Sequence, residues 1–333
     1  MNSLKVKVDQ SGKKSIHLVE TKKPQLTENQ VLIKIKAAAL NRRDQWIRVG
    51  MYPKIQDAIL GSDAAGIVEE VFDVKDEHWL GKSVVINPNN NWGEDPRHQA
   101  NEYHILGMPS DGTFAEYVAV DVNRLHEKPA HLSFEEAAAL PLGGLTAYRA
   151  VFTQGKLQKN DKVLISGVGG GVAQFAFQFA KAAGASVCVS SGTDEKLAKL
   201  KALGADFGVN YKNEGWQKSI AKEVGELNLI LDSAGGEQFS TLIKLLGRSG
   251  KLVFYGATLG LPPKIDLYRM FFNQITIQGT TMGNDVEFED MLNFVSKHKI
   301  VPIIDSVRPF SEIISAFDKM QNAEHFGKLV ISM

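Results

Sequence analysis

The sequence predicts an α/β fold in two parts, a β-rich part and a doubly wound parallel sheet. Short β-rich runs broken by Gly, Pro, Asn and Asp fill the chain up to about residue 125. A glycine-rich turn at 167–171 then joins a short apolar strand to a helical segment. From there to about residue 280, strands alternate with helices, which is the order of a parallel sheet covered by helices on both faces.

Composition limits the kinds of partner that the protein can have. The 333 residues are enough for two domains, each with its own core. Lys and Arg together number 38, as do Asp and Glu, so no net basic charge favours nucleic acid or an anionic membrane. A small molecule is the expected partner. No apolar stretch is long enough to cross a bilayer, and a cytoplasmic location is expected.

The single cysteine, Cys188, excludes an intrachain disulfide framework. It lies inside an apolar strand, which favours a buried structural thiol over a nucleophile. A chain with so little cysteine fits a reducing compartment.

The β-rich part is expected to form a partly open barrel or a folded sheet. Its strands are predicted at 31–37, 64–71, 83–86 and 113–120, after an alternating strand at 1–8. The polar segment at 87–112 lacks periodicity. A loop of this length in a compact domain is usually functional, or an excursion that packs on its own side chains.

Two helices are predicted between the β-rich part and the parallel sheet. The first covers 133–140, with Ser133 as its N-cap, Glu136 three residues on, and Pro141 ending it. The second carries Thr146.

The parallel sheet is predicted to have six strands with crossover helices, which makes a complete Rossmann-type sheet. Its strands are placed at 162–166, 185–190, 206–210, 228–232, 251–255 and 275–280, and its helices near 172–183, 194–203, 214–224, 236–247 and 267–273. Beyond it, we predict helices at 286–298 and 311–322 and a last strand at 327–331.

The glycine turn after the first of these strands predicts dinucleotide binding. Where backbone approaches a pyrophosphate, a Cβ would collide, and the first amides of the helix offer unpaired donors to the negative charge. Gly167, Gly169, Gly170 and Gly171 supply this clearance, and the small Ala173 lets the helix pack on the strand. An ordinary tight turn is the alternative, but the flanking strand, helix and further strand complete a βαβ unit.

With these elements placed, the chain resembles the medium-chain dehydrogenase/reductase superfamily from end to end. The motifs that carry the resemblance are NRRDQWIRVG at 41–50, GSDAAGIV at 61–68, LPLGGLTAY at 140–148, the glycine turn, and LGADFGVNY at 203–211. The resemblance implies a GroES-like catalytic domain built from both chain ends, a Rossmann NADP-binding domain between them, and an active site in the cleft. The expected domains are 1–127, 128–284, and 285–333, the last completing the first.

The zinc-type alcohol dehydrogenases of this superfamily hold a catalytic zinc with Cys, His and Cys. At the matching positions this sequence has Asn41, Ser62 and Leu142. A leucine cannot donate to zinc, so no catalytic metal is expected. Asp63 matches the acidic residue beside the family's histidine ligand, but one carboxylate does not make a metal site.

Two further features of those enzymes are missing from the sequence. Their Ser and His proton relay is matched here by Arg43 and Trp46. Their structural zinc lobe corresponds to 87–112, which has no cysteine. The candidate ligands in this segment are interpreted as solvated loop residues rather than as a metal site; they are Glu94, Asp95, His98, Glu102 and His104.

The pattern resembles the zinc-free quinone oxidoreductase branch. The signature Asn-x-x-Asp-x-aromatic-x-Arg-x-Gly is matched at 41–50, and the turn reads Gly167-x-x-Gly170-x-x-Ala173. This implies an NADPH-dependent enzyme that transfers hydride to a quinone or another activated conjugated carbonyl, an enone or enal. The alternatives are a zinc-type alcohol dehydrogenase-like reductase of simple carbonyls, and a non-catalytic NADPH-binding protein with a structural or regulatory role.

Several residues are candidates for the substrate site. Asn41 can donate from its amide to a carbonyl oxygen, or can simply form a turn. Tyr52 can donate a phenolic proton, and Trp46 and Trp92 can line a flat aromatic pocket, although plain packing explains each equally well. Thr146 matches a threonine beside the nicotinamide in relatives. Arg48 is interpreted as a domain-bridging or surface charge rather than a catalyst.

The cofactor is expected to be NADPH rather than NADH. In NAD-dependent relatives an acidic residue after the second strand binds the ribose hydroxyls, and Ser191 holds that position here. Ser190, Ser191 and Lys196 are expected to bind the 2′-phosphate, and Tyr211 to pack near it. Asp194 and Glu195 lie close in sequence and could repel it, or point outward at the helix start. Further cofactor contacts are assigned to the turn and to later strand ends: Gly167, Gly169, Gly170, Gly171, Val172, Ser233, Gly256 and Thr258.

A homodimer is also expected, through the outer edge of the parallel sheet. The last predicted strand, at 274–279, alternates apolar residues and would be an aggregation risk if its edge stayed open.

Overall fold

The computed structural model describes residues 1–9, 12, 14–53 and 55–333. Its contacts divide the chain into two compact units, and each is described by itself. The first unit comprises Met1–Gly143 and Asn284–Met333, and the second Gly144–Gly283. Within the described residues, no helix combines the length and apolar character that a membrane span requires.

The elements are numbered in chain order. The strands are β1 (Asn2–Val8), β2 (Lys14–Glu20), β3 (Gln30–Ala39), β4 (Ala58–Ile59), β5 (Asp63–Val71), β6 (Ser83–Ile86), β7 (Asn89–Asn90), β8 (His104–Ile105), β9 (Tyr117–Asp121), β10 (Leu125–Glu127), β11 (Lys162–Ile165), β12 (Ser186–Ser191), β13 (Phe207–Asn210), β14 (Leu227–Asp232), β15 (Leu246–Phe254), β16 (Thr276–Gly279), β17 (Ile304–Pro309) and β18 (Lys328–Ser332). The α-helices are α1 (Arg42–Arg48), α2 (Phe134–Ala139), α3 (Pro141–Tyr148), α4 (Gly171–Ala182), α5 (Asp194–Ala202), α6 (Trp216–Glu223), α7 (Gln238–Leu245), α8 (Leu267–Phe272), α9 (Asp285–His298) and α10 (Ile313–Gln321).

The first unit is organised around the long strand β3. One edge of β3 pairs along its length with β5. On the other edge, the first half of β3 pairs with β9 and its last residues pair with β18. The sheet order is β10-β6-β5-β3-β18-β17, so a strand from the end of the chain lies beside one from near its beginning.

The core of the first unit packs between this sheet and its helices. Phe114 and Phe317 are fully buried and meet edge to face, with ring centroids 6.1 Å apart. Helix α2 packs on β3, β5 and β18. Its start follows the predicted cap, since the Ser133 hydroxyl accepts the Glu136 amide at 3.2 Å and the Glu136 carboxylate accepts the Ser133 amide at 2.8 Å.

The strand predicted at 113–120 begins only at Tyr117. The preceding residues bond elsewhere: the Phe114 amide donates to the Leu60 carbonyl at 2.8 Å, and the Phe114 carbonyl accepts the Leu4 amide at 2.8 Å. The run therefore divides its pairing between two sheets, which a local β-rich pattern cannot show.

The second unit has a six-stranded sheet in the order β13-β12-β11-β14-β15-β16. Every pair in it is parallel. Val163, Leu164 and Ile165 of the central strand β11 are fully buried, as expected for a strand covered on both faces. The order reverses between β11 and β14, which is where ligands bind in sheets of this type, at the carboxyl ends of the strands. The predicted fold class is confirmed.

Candidate functional site

A closed set of buried polar contacts lies at one end of the first unit's sheet. Lys328 begins β18, Asp63 begins β5, and Asn41 follows β3. The Lys328 ammonium donates to Asn41 Oδ1 at 2.7 Å and to Asp63 Oδ2 at 2.9 Å. Asn41 Nδ2 donates to the same carboxylate oxygen at 2.9 Å. The exposed fractions are only 2% for Lys328, 0% for Asp63 and 6% for Asn41.

The second oxygen of Asp63 is also used. It accepts the backbone N–H of Leu142 at 2.8 Å. An unpaired buried carboxylate would be strongly destabilising, and here the ammonium and two amide donors compensate it.

A second buried cation, Arg43, lies beside this network. Its guanidinium donates to Ser62 Oγ at 2.6 Å and to the Leu106 carbonyl at 2.9 Å. It also donates to the Tyr52 hydroxyl at 3.4 Å, and its Cζ lies 4.9 Å from the centroid of the Tyr52 ring. The Arg43 guanidinium is therefore hydrogen-bonded to both hydroxyl groups, that of Ser62 and that of Tyr52.

The carboxyl of Asp44 completes the charged cluster. It accepts the backbone N–H of Asn41 at 2.8 Å and lies 3.9 Å from the Arg43 guanidinium. Burial raises the pKa of Asp44 to about 6, while the Arg43 charge acts in the opposite direction. Asp44 thus holds the backbone of Asn41 at the start of α1.

The residues at the zinc-ligand positions do not fit a zinc ion. Asn41 is bound to an ammonium, Ser62 to a guanidinium, and Leu142 contributes only its backbone N–H to the network. Two fixed cations would repel a dication, and none of the three side chains is a thiolate, imidazole or carboxylate. Among the residues that the structure describes, no group of three or more His, Cys, Asp or Glu side chains is placed to hold a metal ion.

The other predicted substrate residues of the first unit are not all brought together. Trp46 is half-buried on α1. Trp92 is buried: its indole N–H donates to the Asp95 carbonyl at 3.1 Å, and its ring meets Tyr103 edge to face at 5.4 Å. Trp92 lines a cavity of about 330 Å³ whose lining does not include Trp46. Arg48 pairs with Asp318 of α10 at 2.7 Å, and both residues belong to the first unit, so this contact does not bridge two domains.

The polar segment at 87–112 makes contacts both within itself and with the rest of the first unit, since Arg43 donates to the carbonyls of Leu106 and Met108. Strands β7 and β8 pair within it. Asp95 forms a bidentate pair with Arg97, and His98 lies 3.6 Å from the same carboxylate. Asp95 and His98 therefore serve local surface contacts.

In the second unit, the glycine turn has space where a ligand could approach. Gly167 has φ +63°, and a Cβ built on Gly167 or Gly170 meets nothing within 4 Å. Gly170 caps α4, whose first helical residues are Gly171 and Val172. The helix start at the carboxyl end of β11 thus has open space at two of its glycines, which suits the approach of a pyrophosphate.

The predicted 2′-phosphate residues divide into two groups. Ser190 and Ser191 are buried and have internal partners: Ser190 Oγ accepts the Gly167 N–H at 3.1 Å, and Ser191 Oγ donates to the Val168 carbonyl at 3.3 Å. The other group, Lys196 and Tyr211, lies nearer the surface.

Two side chains lie close to glycines in and near this turn. The Lys196 ammonium lies 3.5 Å from the point where a Cβ on Gly169 would be. The Tyr211 hydroxyl lies 2.6 Å from the corresponding point on Gly192, with Lys212 Cε 3.4 Å from it. A cation and a hydroxyl therefore border the end of β12, and Lys212 adds a side chain that the sequence analysis did not single out.

Both acidic residues at the start of α5 have partners. Asp194 accepts from the Asn210 amide at 2.9 Å, and Glu195 pairs with Lys199 at 2.7 Å. Their charge is partly compensated, and they also lie where the helix dipole favours carboxylates.

The remaining predicted cofactor residues follow β14 and β15. The amide and the hydroxyl of Thr258 both donate to the Ser233 carbonyl, at 3.3 and 3.4 Å. A Cβ on Gly256 would lie 2.9 Å from the same carbonyl, so a glycine is needed there. Thr146, of the same unit, donates to Met282 Sδ at 3.7 Å.

Two family models match the two kinds of domain described above. The alcohol dehydrogenase GroES-like domain matches residues 27–130, and the zinc-binding dehydrogenase domain matches residues 171–297. The zinc-type alcohol dehydrogenase-like protein YogA of Leptosphaeria maculans is 34% identical over 93% of this chain and 92% of its own. The chain belongs to the medium-chain dehydrogenase/reductase superfamily. It is thus an oxidoreductase of that superfamily.

Other relatives cover several activities. A 2-methylene-furan-3-one reductase of Solanum lycopersicum is 33% identical over 92% of this chain and 73% of its own. A solved NAD-dependent alcohol dehydrogenase has a TM-score of 0.90 and 32% identity, with all of both chains covered. The quinone oxidoreductase of Thermus thermophilus, solved also with NADPH, has a TM-score of 0.81 and 27% identity over all of both chains. These two solved relatives are therefore named with different cofactors, NAD for one and NADPH for the other.

The sequence analysis missed Lys328, which holds the centre of the site. Its one available signal was a lysine directly after Gly327, at the start of an apolar strand. Asp232 was also missed: it is buried at the end of β14, accepts the Ser166 hydroxyl and the Gly235 amide, and burial raises its pKa.

Proposed function

We propose that this protein is an NADPH-dependent, zinc-independent reductase that transfers hydride to a quinone or another activated conjugated carbonyl. The observation that carries the proposal is the buried network of Asn41, Asp63 and Lys328 at positions where zinc-type relatives have metal ligands. A site of this kind has hydrogen-bond donors but no Lewis acid.

A conjugated acceptor suits these donors. NADPH supplies hydride when bound, and the negative charge that develops on a quinone or enone spreads over the conjugated system. One N–H of the Asn41 amide is used by Asp63. The other can donate to the acceptor oxygen, where a preorganised donor stabilises charge that forms in the transition state. Tyr52 is positioned by Arg43 as a second polar group of this unit.

The relatives support this assignment without selecting a substrate. The names of two relatives, the 2-methylene-furan-3-one reductase and the quinone oxidoreductase solved with NADPH, indicate that these proteins act on conjugated acceptors. An NAD-dependent alcohol dehydrogenase of similar fold supports the alternative, a reductase of simple carbonyls. In that alternative the charge on the alkoxide would be localised, and the site offers no metal ligands to stabilise it.

The preference for NADPH rests on charge at the end of β12. Ser191 places no carboxylate there, and Lys196 and Tyr211 border the adjacent turn. A carboxylate about 4 Å from a phosphate dianion would be unfavourable by several kcal/mol at an effective dielectric near 20. We also propose a reducing, cytoplasmic location. The Cys188 thiol suits such a location, because it is buried and burial raises its pKa to about 12.

Turnover tests the function directly. We expect the purified protein to oxidise NADPH with 1,4-benzoquinone or 2-hexenal, and a chelator to leave the rate unchanged because no metal takes part. Absorbance at the NADPH band and metal analysis of protein prepared without chelator are the two measurements. Stoichiometric zinc that survives dialysis, or binding of NADPH with no reduction of any quinone, enone or enal, would count against the proposal. The second result favours a structural or regulatory role.

The cofactor preference is tested at two positions. We expect Lys196→Ala to lower kcat/KM with NADPH about tenfold, since a charged hydrogen bond is lost, and to leave the NADH value unchanged. Ser191→Asp should shift preference toward NADH. Lys201→Ala, at an exposed lysine in the last turn of the same helix, is the matched control and should retain the wild-type ratio. A wild type that prefers NADH, or a ratio that ignores both substitutions, contradicts the assignment.

The glycine turn gives a separate test of where the cofactor binds. Gly170 has φ −95° and ψ 176°, an extended conformation that alanine also adopts, and its Cβ would enter open space. We therefore expect Gly170→Ala to keep the wild-type unfolding midpoint but to weaken NADPH binding at least about tenfold, because the methyl group takes the room of the pyrophosphate. Fluorescence titration measures the affinity. Unchanged affinity would place the pyrophosphate elsewhere.

We also propose a homodimer through the edge strand β16. In the described chain β16 pairs with β15 alone, and α8 beside it exposes Tyr268, Phe271 and Phe272. An open apolar edge next to exposed aromatic rings favours a second copy across a two-fold axis.

Light scattering checks this assembly. We expect a dimer at micromolar concentration and a shift toward monomer in Phe271→Glu, because a carboxylate would be buried unpaired in the interface. Val74→Glu, at another exposed apolar residue, is the control and should stay dimeric. A monomeric wild type refutes the proposal.

A further inference from the structure

The buried ammonium of Lys328 sets the orientation of the Asn41 amide. An ammonium has only donors, and an ionised carboxylate has only acceptors. With Lys328 Nζ 2.7 Å from one end of the amide and Asp63 Oδ2 2.9 Å from the other, the oxygen must face the lysine and the nitrogen must face the carboxylate. The reverse orientation would set donor against donor and acceptor against acceptor.

This orientation determines which hydrogen remains for a ligand. The amide nitrogen of Asn41 carries two hydrogens, and within the described residues it makes one hydrogen bond, to Asp63. The oxygen of the amide is already taken by Lys328. The nitrogen of Asn41 therefore offers one further N–H, and an N–H is the group from which an electron-rich carbonyl oxygen accepts a hydrogen bond.

The strands explain how Lys328 reaches this place. Val330 of β18 is paired with Ala39 of β3 in antiparallel register, so Lys328 lies beyond that pair on the side of Asn41. Ala39 is in turn paired with Asp63 of β5. Three neighbouring strands thus bring the ammonium, the amide and the carboxylate to one end of the sheet.

The same charges exclude a metal from the site. Lys328 and Arg43 both contact residues at the family's ligand positions, at 2.7 Å to Asn41 Oδ1 and 2.6 Å to Ser62 Oγ. A divalent ion there would meet two permanent positive charges and a hydrogen-bonded amide. The positive charge of this site is therefore supplied by the side chains of Lys328 and Arg43.

The geometry points to Lys328 as a positioning residue that supplies the positive charge which a metal ion supplies in zinc-type relatives. Lys328 neutralises Asp63 and holds the Asn41 amide so that one N–H remains free for a substrate oxygen. This inference rests on the proposed function, in which Asn41 is the donor. Lys328 itself is buried and acts through Asn41.

Substitution of Lys328 separates positioning from structure. Lys328→Met removes the donor with little change in volume, and we expect kcat with NADPH and 1,4-benzoquinone to fall about a hundredfold, the smaller of the losses seen when one oxyanion donor is removed. KM should change by less than about threefold, since the lost contact acts in the transition state. Lys328→Arg keeps a donor-only cation and should recover most of the rate.

A charge-balanced variant keeps the test decisive if Lys328→Met folds poorly. Lys328→Met leaves the Asp63 carboxylate buried without its cation, so a lower urea midpoint is expected. Adding Asp63→Asn removes that charge and should restore the midpoint. The amide introduced at position 63 donates toward Asn41, so the Asn41 amide would turn its oxygen toward position 63. The low kcat should therefore persist in the double variant.

The controls separate this inference from the proposed function. Lys319→Met removes another lysine that pairs with a carboxylate, Asp305 of the same unit, and should retain wild-type kcat. Wild-type rates in Lys328→Met would contradict the role of Lys328 without touching the proposed function. Recovery of kcat together with the urea midpoint in the double variant would do the same. A wild type that reduces no quinone, enone or enal would refute the proposed function, and with it the donor role of Asn41.

Discussion

A buried ion pair constrains the first unit of this protein. Taking an ammonium and a carboxylate out of water is strongly unfavourable, and only close contact between them with further hydrogen bonds compensates for it. Asp63 meets this requirement with Lys328, Asn41 and the amide of Leu142. Because these groups come from β18, β5, the end of β3 and the start of α3, a shift in any of these elements would leave a charge without its partner.

The constraint also gives the site a permanent charge. In a metal site the positive charge is supplied by an ion that binds and dissociates, and its affinity depends on the protonation of its ligands. A lysine in the sheet is supplied by the chain. The positive charge at this position is therefore part of the fold, and so is the orientation of the amide next to it.

Local patterns predicted most of the fold. The six strands of the parallel sheet fall within a few residues of their predicted places, because apolar runs and glycine turns act over short distances. The glycine turn and the missing zinc ligands were also visible as residue types. Contacts between distant residues were not: Lys328 and Asn41 are separated by 287 positions, and the strand register that joins them is set by tertiary packing. The sequence likewise could not show that the hydroxyls of Ser190 and Ser191 are hydrogen-bonded to the turn at Gly167 and Val168.

The place of β18 beside β3 has a consequence for synthesis on the ribosome. The second unit is one continuous segment, Gly144–Gly283, and all its strands are available once that segment has emerged. The first unit must wait for β18, so the last three residues of β3, Ala37–Ala39, have an unpaired, apolar edge in the nascent chain. Exposed strand edges favour association with other chains. The edge of β3 is therefore open to such association from the time the second unit has emerged until β18 is made.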